Sequence, residues 1–263
     1  MKKVLIIMAG LFVLACNNKK DKEAEKKVVF SELESQNLKG DISSIEESPY
    51  KADSTGKIGE MDSCCVSVTD YDENGNSAKS VNKDSKGAIS SESVFTRHAN
   101  GLFKSIANTA KGKSTGGFDT KVDENGNYTW AGAIDSNGKG DVYYTDITQN
   151  EVGEVAGWKQ YNKDSVFTGQ GEAKFDKHQQ LSFTFKDSAG VVKNTSSSKY
   201  NDKGEQIEFS STNVTKDTTT TTVTKYTYET HDDMGNWTQR TTWNDKGKAT
   251  AITKRTYTYR KKN

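Results

Sequence analysis

Apolar and polar residues alternate along most of the chain, in short runs bounded by clusters of Asp, Asn, Ser and Gly. Alternation with a period of two predicts half-buried β-strands, and connections this short join antiparallel neighbours. The clearest runs predict two strand faces, one shared by Phe167, Ala173 and Phe175 and one shared by Leu181, Phe183 and Phe185. The pattern therefore predicts an all-β chain folded as an antiparallel meander.

The turns between these runs repeat. The stretch YDENGN at residues 71–76 returns as VDENGN at residues 122–127. In this motif the Asp side chain accepts hydrogen bonds from the backbone amides that follow, and a Gly three residues later closes a type I turn. Two series of turns interleave, one at Gly75, Gly101, Gly126, Gly153, Gln179, Gly204 and Gly235, the other at Gly87, Gly112, Gly138, Ser165, Gly190, near Asp217 and at Gly247. Each repeat of about 25 residues thus holds two strands and two turns.

Repeats of this length are typical of arrays in which each unit packs only against its neighbours. We therefore expect residues 36–263 to form roughly 14–16 strands of an extended, twisted or curled single sheet, with a spiral or open barrel as its most curled form. Residues 38–50 and 61–71 are expected to form the opening hairpin, and residues 215–224 a long projecting hairpin. Residues 30–36 are the stretch that favours a helix.

Composition and charge limit the function. Hydrophobic residues make up 32% of the chain, and the formal net charge is +1. Without a basic excess, nucleic acid is not an expected partner. A chain this poor in apolar residues favours a thin sheet whose aromatic and β-branched side chains cover one another.

The first residues resemble a lipoprotein export signal. Lys2 and Lys3 precede an apolar run at residues 4–15, which is too short to span a bilayer, and Cys16 follows. The ending resembles the bacterial lipobox, which implies a signal peptide at residues 1–15 and lipid attachment at Cys16; an ordinary signal peptide is the alternative. Residues 16–35 are then the lipidated cysteine and a flexible charged tether. Their Lys/Asp/Glu cluster resembles a surface-export signal, so we expect a lipid-anchored outer-membrane protein on the cell surface, with the periplasmic face as the alternative.

Longer stretches resemble a set of repeat proteins. Residues 38–47, the turns YDENGN and YNDKGE, and the closing stretches HDDMGNWTQRTTW and RTYTY are similar to Bacteroidetes lipoproteins with degenerate RHS/YD-type β-hairpin repeats. The resemblance covers about residues 36–260. It implies a tethered β-repeat protein, without established catalytic residues to carry over.

Candidate chemistry is sparse. His98, His178 and His231 fall at predicted turns, where exposure to solvent is expected. Residues 135–141 resemble a calcium loop but fit a hydrogen-bonded turn better. Cys64 and Cys65 are expected to be separate thiols, since neighbours in a strand point to opposite faces. We therefore predict no catalytic site, no metal and no cofactor.

Aromatic residues are the remaining candidates for binding. Trp130, Tyr143, Tyr144 and Trp158 could line a ligand surface or form the core of a leucine-poor sheet. Because Tyr143 and Tyr144 are adjacent, one ring must face outward unless the sheet is covered.

Two functional hypotheses follow. The first is a membrane-anchored, non-catalytic lipoprotein whose sheet binds or scaffolds an unknown protein or glycan partner. The alternative is a periplasmic carrier or chaperone that encloses an apolar ligand in a curled sheet, with an unfilled interior lined by Phe167, Phe175, Leu181, Phe183 and Phe185. A hydrolase of envelope polymers would need carboxylates clustered in one cleft.

Overall fold

The computed structural model describes residues 31–62 and 65–261 of the chain. The predicted signal peptide, Cys16 and most of the predicted tether lie outside the described residues. The elements are α1 (Glu32–Ser35), β1 (Ile42–Ala52), β2 (Ile58–Met61), β3 (Val66–Tyr71), β4 (Ser77–Lys83), β5 (Ile89–Arg97), β6 (Phe103–Ala110), β7 (Lys113–Val122), β8 (Tyr128–Ile134), β9 (Val142–Gln149), β10 (Val155–Asn162), β11 (Phe167–Asp176), β12 (Gln179–Asp187), β13 (Val192–Tyr200), β14 (Gln206–Val214), β15 (Thr219–His231), β16 (Trp237–Trp243) and β17 (Ala249–Tyr259). No helix in these two ranges is long and apolar enough to cross a membrane.

The strands form one closed antiparallel barrel. From β3 to β17 each strand pairs with the next along the chain. β1 pairs with β3 on one side and with β17 on the other, from Ile42 opposite Tyr259 to Lys51 opposite Ala251. The short β2 extends the β1 pairing beyond β3, so the barrel has 16 strands. The predicted meander is confirmed, but the predicted open sheet is wrong, because the first and last strands pair their edges.

Two local predictions also agree with the structure. The stretch that favoured a helix contains α1, which begins with a capping box between Ser31 and Glu34. The Thr-rich stretch is a hairpin of β14 and β15, whose turn is closed by a 2.8 Å hydrogen bond from the Thr215 amide to the Thr218 carbonyl. Both features are set by residues close in the sequence.

The repeated turns share one hydrogen-bonding pattern. At Asp72 the backbone amide donates to the Asn76 carbonyl at 2.8 Å, and the Gly75 amide donates to the Asp72 carbonyl at 3.0 Å. The Asp72 side chain accepts from the amides of Asn74 and Asn76, both at 2.9 Å. Gly75 has a φ of +78°, which favours glycine. The same pattern recurs around Asp84, Asp123, Asp135, Asn150, Asn162, Asp187, Asn201, Asp232 and Asn244.

Consecutive turns lie at opposite ends of an antiparallel barrel. We call the end with the Gly75 series the base and the end with the Gly87 series the rim. Residues 31–41, here called the strap, cross the base. The Leu33 amide donates to the Gly75 carbonyl at 3.1 Å, and Asn236 exchanges two 2.8 Å hydrogen bonds with the backbone of Lys39. The strap therefore joins turns from distant parts of the chain.

The best-buried apolar cluster lies where the strap meets the barrel. Leu33 is 6% exposed and packs with Ile42, Ile45 and Tyr71, with Leu38, Tyr257 and Tyr259 around them. These contacts define the inner face of the barrel wall, because Ile42 and Ile45 are paired with Tyr259 and Tyr257 of β17. The interior of the barrel is here called the lumen.

The outer face of the wall is charged. Ion pairs join Lys79 to Glu92 at 2.6 Å, Lys159 to Asp146 at 2.7 Å and Lys199 to Glu208 at 2.8 Å. Each pair lies on residues that alternate with inward-facing neighbours along its strands. The wall is thus polar towards solvent and more apolar towards the lumen.

Replacing Leu33 with Ala is expected to lower the free energy of unfolding by about 2–4 kcal/mol, because the change removes buried methyl groups and leaves a cavity under the strap. Urea denaturation followed by circular dichroism measures the loss. Leu181→Ala is the matched control, since Leu181 is 41% exposed. If both variants lost the same free energy of unfolding, the packing of Leu33 between the strap and the barrel would not stabilise the fold more than an exposed leucine does.

Candidate functional site

A mostly apolar cavity of about 550 Å³ lies in the lumen. It is lined by Phe103, Phe118, Thr120, Tyr128, Ala131, Tyr144, Ile147, Val155, Trp158, Gln160, Phe183 and Phe185. None of these side chains carries a charge. A volume of several hundred Å³ with mostly aromatic walls suits a small apolar ligand.

Aromatic rings on β7, β9, β10 and β12 build part of the cavity wall. Phe118 and Tyr144 have ring centroids 6.2 Å apart, and Tyr144 meets Trp158 edge-on at 6.4 Å. Trp158 stacks on Phe183 at 5.6 Å with an interplanar angle of 12°. Contacts of this kind hold the rings in fixed orientations. The four rings therefore form a connected row along the cavity wall.

Two glycines of β11 make room for these rings. A Cβ on Gly171 would lie 2.4 Å from the Trp158 ring, and a Cβ on Gly169 would lie 2.6 Å from the Phe185 ring. Both glycines sit directly opposite inward-facing residues, Gly171 opposite Trp158 and Phe185. Any side chain there would displace the rings into the cavity.

The four aromatic residues named as candidates for binding lie on both faces of the wall. Tyr144 and Trp158 line the cavity. Tyr143 lies on the outer face, stacked on Tyr161 at 5.4 Å, and Trp130 lies there beneath Lys121 at 5.1 Å. The candidates lie on two faces because adjacent strand residues point in opposite directions.

The faces predicted for β11 and β12 are correct only in part. Phe183 and Phe185 line the cavity, but Phe167 contacts Tyr161 on the outer face. Leu181 is the extra residue of a bulge, since Ser182 pairs with Lys174 and Gln180 with Phe175. A bulge adds one residue and so breaks the simple alternation from which the faces were predicted.

Sequence reasoning missed the cavity residues of β6 to β8, among them Phe103, Phe118 and Tyr128. The repeat register could have located Phe118, which lies opposite Ile106 on the inner face. Tyr128 carries a signal of its own, because it directly follows the second DENGN turn, as Ser77 follows the first. Its hydroxyl donates to the Phe103 carbonyl at 3.1 Å.

Burial shapes the protonation of several groups near the base. Loss of contact with water raises the pKa of Tyr128 to about 12, and the same cause raises the pKa of Tyr257 and Tyr259 to about 12. Burial also raises the pKa of Glu154 above its ordinary value. These four groups therefore lose their protons less readily than they would in water.

The histidines are less exposed than predicted. His98 is half-buried with Nε2 3.0 Å from Thr120 Oγ1, and burial, followed by the nearby Lys104 charge, lowers its pKa. His231 Nε2 lies 2.6 Å from Glu205 Oε1 beside the strap. The strap and the inward curl of the wall cover turn residues that would be exposed in an open sheet.

The prediction of a separate thiol is wrong for Cys65, and Cys64 lies outside the described residues. Cys65 is disulfide-bonded, and its partner lies outside the described residues. Its φ of +78° places it outside regular strand geometry, so the alternation rule used for the prediction does not hold there.

Comparison with known proteins supports the fold. No protein-family model and no curated protein matches the chain. A porin-like protein from Bacteroides uniformis ATCC 8492 is similar in structure, with a TM-score of 0.51 and 10% identity over 82% of this chain and 98% of that one. A porin-like protein from Bacteroides vulgatus ATCC 8482 matches the same shares at 13% identity, with a TM-score of 0.34. At these identities the likeness to the first concerns the fold alone.

The predicted membership of the RHS/YD-type repeat lipoproteins is wrong. The hairpins close into a 16-strand barrel that resembles the Bacteroides uniformis protein. The sequence repeat is real, but it arises because one kind of turn connects successive strands of a barrel.

Alkaline pH is expected to destabilise the fold. The three tyrosines bind their protons more tightly in the folded chain, with pKa values of about 12 against an ordinary 10.0. Their contribution is present in full below pH 10 and is lost as the pH rises towards 12. Absorbance at 295 nm should show phenolates that form late in folded protein and near pH 10 in urea. The Tyr128→Phe variant should lose one late phenolate; an unchanged late fraction would contradict the assignment.

Proposed function

We propose that the protein is a non-catalytic, lipid-anchored binding or carrier protein that encloses an apolar ligand in its lumen. The observation that carries the proposal is the cavity of about 550 Å³ with walls of aromatic rings and no charged group. Removing apolar ligand surface from water supplies the binding free energy. This was the alternative hypothesis from the sequence, and the closed barrel favours it over an open scaffolding sheet.

The charged outer face supports a barrel that lies in water. A barrel that spans a membrane carries an apolar band outside and a polar lumen inside. Here Lys159 and Asp146 form an outward ion pair on the strands whose Trp158 and Tyr144 line the cavity. In this barrel the charged residues lie outside and the apolar residues line the lumen, the reverse of a membrane-spanning barrel. We therefore propose that the porin-like fold encloses a ligand and does not form a channel through a bilayer.

Ligand access is proposed at the rim, because the strap covers the base. Near the rim the inner face carries uncharged polar pairs. Asn194 Nδ2 donates to Asn213 Oδ1 at 2.7 Å, and Asn82 Nδ2 donates to Ser91 Oγ at 2.9 Å. Because these side chains already hydrogen-bond one another, an apolar ligand that passes them leaves fewer polar groups without a partner than it would at unpaired side chains.

Cys16 is proposed to carry the lipid anchor, followed by a charged tether that reaches the base. The rim then faces away from the membrane and is free to receive a ligand. The outer membrane is the proposed location, with the cell surface favoured by the charged residues after Cys16 and the periplasmic face as the alternative.

The outer face offers a second candidate site, for a protein or glycan partner. Tyr143, Tyr161 and Phe167 form a row of rings with centroid separations of 5.4 and 5.7 Å. Stacked rings on a half-exposed face can bind a sugar or a peptide.

The neutral fluorescent probe methyl cis-parinarate is expected to bind the wild-type protein. Ala131→Trp should weaken binding at least tenfold, because Ala131 lines the cavity and the larger ring fills it. Ala107→Trp is the matched control on the outer face, where Ala107 is exposed. Circular dichroism checks that both variants fold. Equal affinity of the two variants would exclude the lumen as the binding site.

Cys16→Ser is expected to move the protein from the membrane fraction to the soluble fraction, because each buried acyl methylene contributes about 0.8 kcal/mol to anchoring. Fractionation and metabolic labelling with palmitate measure this. Protease treatment of intact and lysed cells then reports the side of the membrane. A variant that stays in the membrane fraction would contradict anchoring at Cys16.

A further inference from the structure

Arg240 stands out among the charged residues of the lumen. It lies on β16 between inward-facing partners, opposite Tyr228 of β15 and Thr253 of β17. Its guanidinium is 4.8 Å from the Tyr226 ring centroid and 4.9 Å from that of Trp237. The rings hold the positive charge in place and shield it from solvent.

The other charges of this region are already paired. Arg255 meets Glu47 at 2.5 Å, and Arg97 pairs with Glu32 of the strap. Glu205, the carboxylate near Tyr228, lies 2.6 Å from His231. Each of these three carboxylates thus already has a partner other than Arg240.

Arg240 itself forms no ion pair within residues 31–62 and 65–261. Its side chain hydrogen-bonds the neutral hydroxyl of Tyr228, and its Nε is buried without a hydrogen-bond partner. A buried donor without a partner is costly, so a bound group that accepts from it would be stabilised.

Arg240 faces the apolar cavity across the lumen. Seven strands separate β8 from β16 in either direction around the 16-strand ring, so the two strands are diametrically opposite. β8 carries the cavity residues Tyr128 and Ala131. Part of the wall between β8 and β16 carries small inward-facing residues. Ser196 of β13 lies opposite Phe183, and Ser211 of β14 lies opposite Ser196. A ligand that contacts both must therefore be long enough to span the lumen from the cavity to Arg240.

We propose that Arg240 binds the anionic head of an amphiphile whose apolar tail occupies the cavity. A guanidinium presents a planar fork of donors that matches a carboxylate or a phosphate, and this match is stronger away from water. The proposal rests on the proposed carrier function and adds the class of ligand. The proposal predicts that the protein binds long-chain anionic amphiphiles more tightly than neutral lipids of equal length.

cis-Parinaric acid and its methyl ester test the proposal, because they share one fluorescent chain and differ in the charge of the head. Arg240→Gln should weaken binding of the acid at least tenfold and change binding of the ester less than twofold. Lys254→Gln is the matched control, since Lys254 neighbours Arg240 in the sheet but is exposed on the outer face. It should leave both affinities unchanged.

Two further measurements keep the test decisive. Arg240→Lys keeps the charge without the fork, so it should bind the acid with intermediate affinity. In the wild-type protein, lowering the pH until the acid is protonated should weaken binding of the acid and not of the ester, because the head then loses its charge. This second measurement needs no variant and therefore does not depend on whether Arg240→Gln folds.

The outcomes separate the two proposals. If Arg240→Gln weakened binding of the acid and of the ester equally, Arg240 would have a structural role, and its role in head binding would be overturned. Unchanged acid binding would overturn it as well. If the wild-type protein bound the ester but did not prefer the acid, the carrier function would stand and the anionic head would be excluded. If it bound neither probe, the carrier function itself would fail.

Discussion

The pairing of β1 with β17 is the constraint on which the rest of the structure depends. An open row of hairpins would leave two unpaired edges and an apolar face without cover. Pairing Ile42 with Tyr259 removes both edges and turns one face inwards. It also brings the chain before β1 to the base, where the strap can bind turns that are far apart in sequence. The lumen, its wall and its closed end all follow from that seam.

The barrel is stabilised by its backbone and turns more than by a filled core. Only Ile42, Ile252 and Thr241 among the described residues are large side chains below 2% exposure. A circular ring of 16 strands would measure roughly 30 Å between opposite backbones, which side chains cannot fill. The repeated five-residue turn satisfies its own amides, so the hairpins do not need a dense interior. This leaves the lumen available for a ligand.

Local features could be predicted from the sequence and distant ones could not. Residues close to one another in the sequence determine the turns, the number of strands and the helix near residue 33. Their patterns can therefore be recognised in the amino-acid sequence. Closure of the barrel depends on pairing between residues more than 200 positions apart, such as Ile42 and Tyr259. The alternation of apolar and polar residues along the chain gives no information about that pairing. The bulge at Leu181 moved its side chain off the predicted face for the same reason, since a one-residue insertion shows only in the partner strand. Arg240 was missed because its significance lies in the ion pair that it does not make.

The strap also leaves less room for a side chain at two turns of the base than at three turns of the rim. A Cβ on Gly75 would lie 3.0 Å from Ser31 Oγ, and one on Gly204 would lie 2.7 Å from Asn37 Nδ2. Around the rim glycines Gly87, Gly138 and Gly190 nothing lies within 4 Å. At Gly75 and Gly204 glycine is needed both for a positive φ and for the approach of the strap, whereas at these three rim positions it is needed for φ alone. A rim turn can therefore accept Ser165, with a φ of +61°, at a local cost, while a side chain at Gly75 would also push the strap from the base and open the lumen at its closed end.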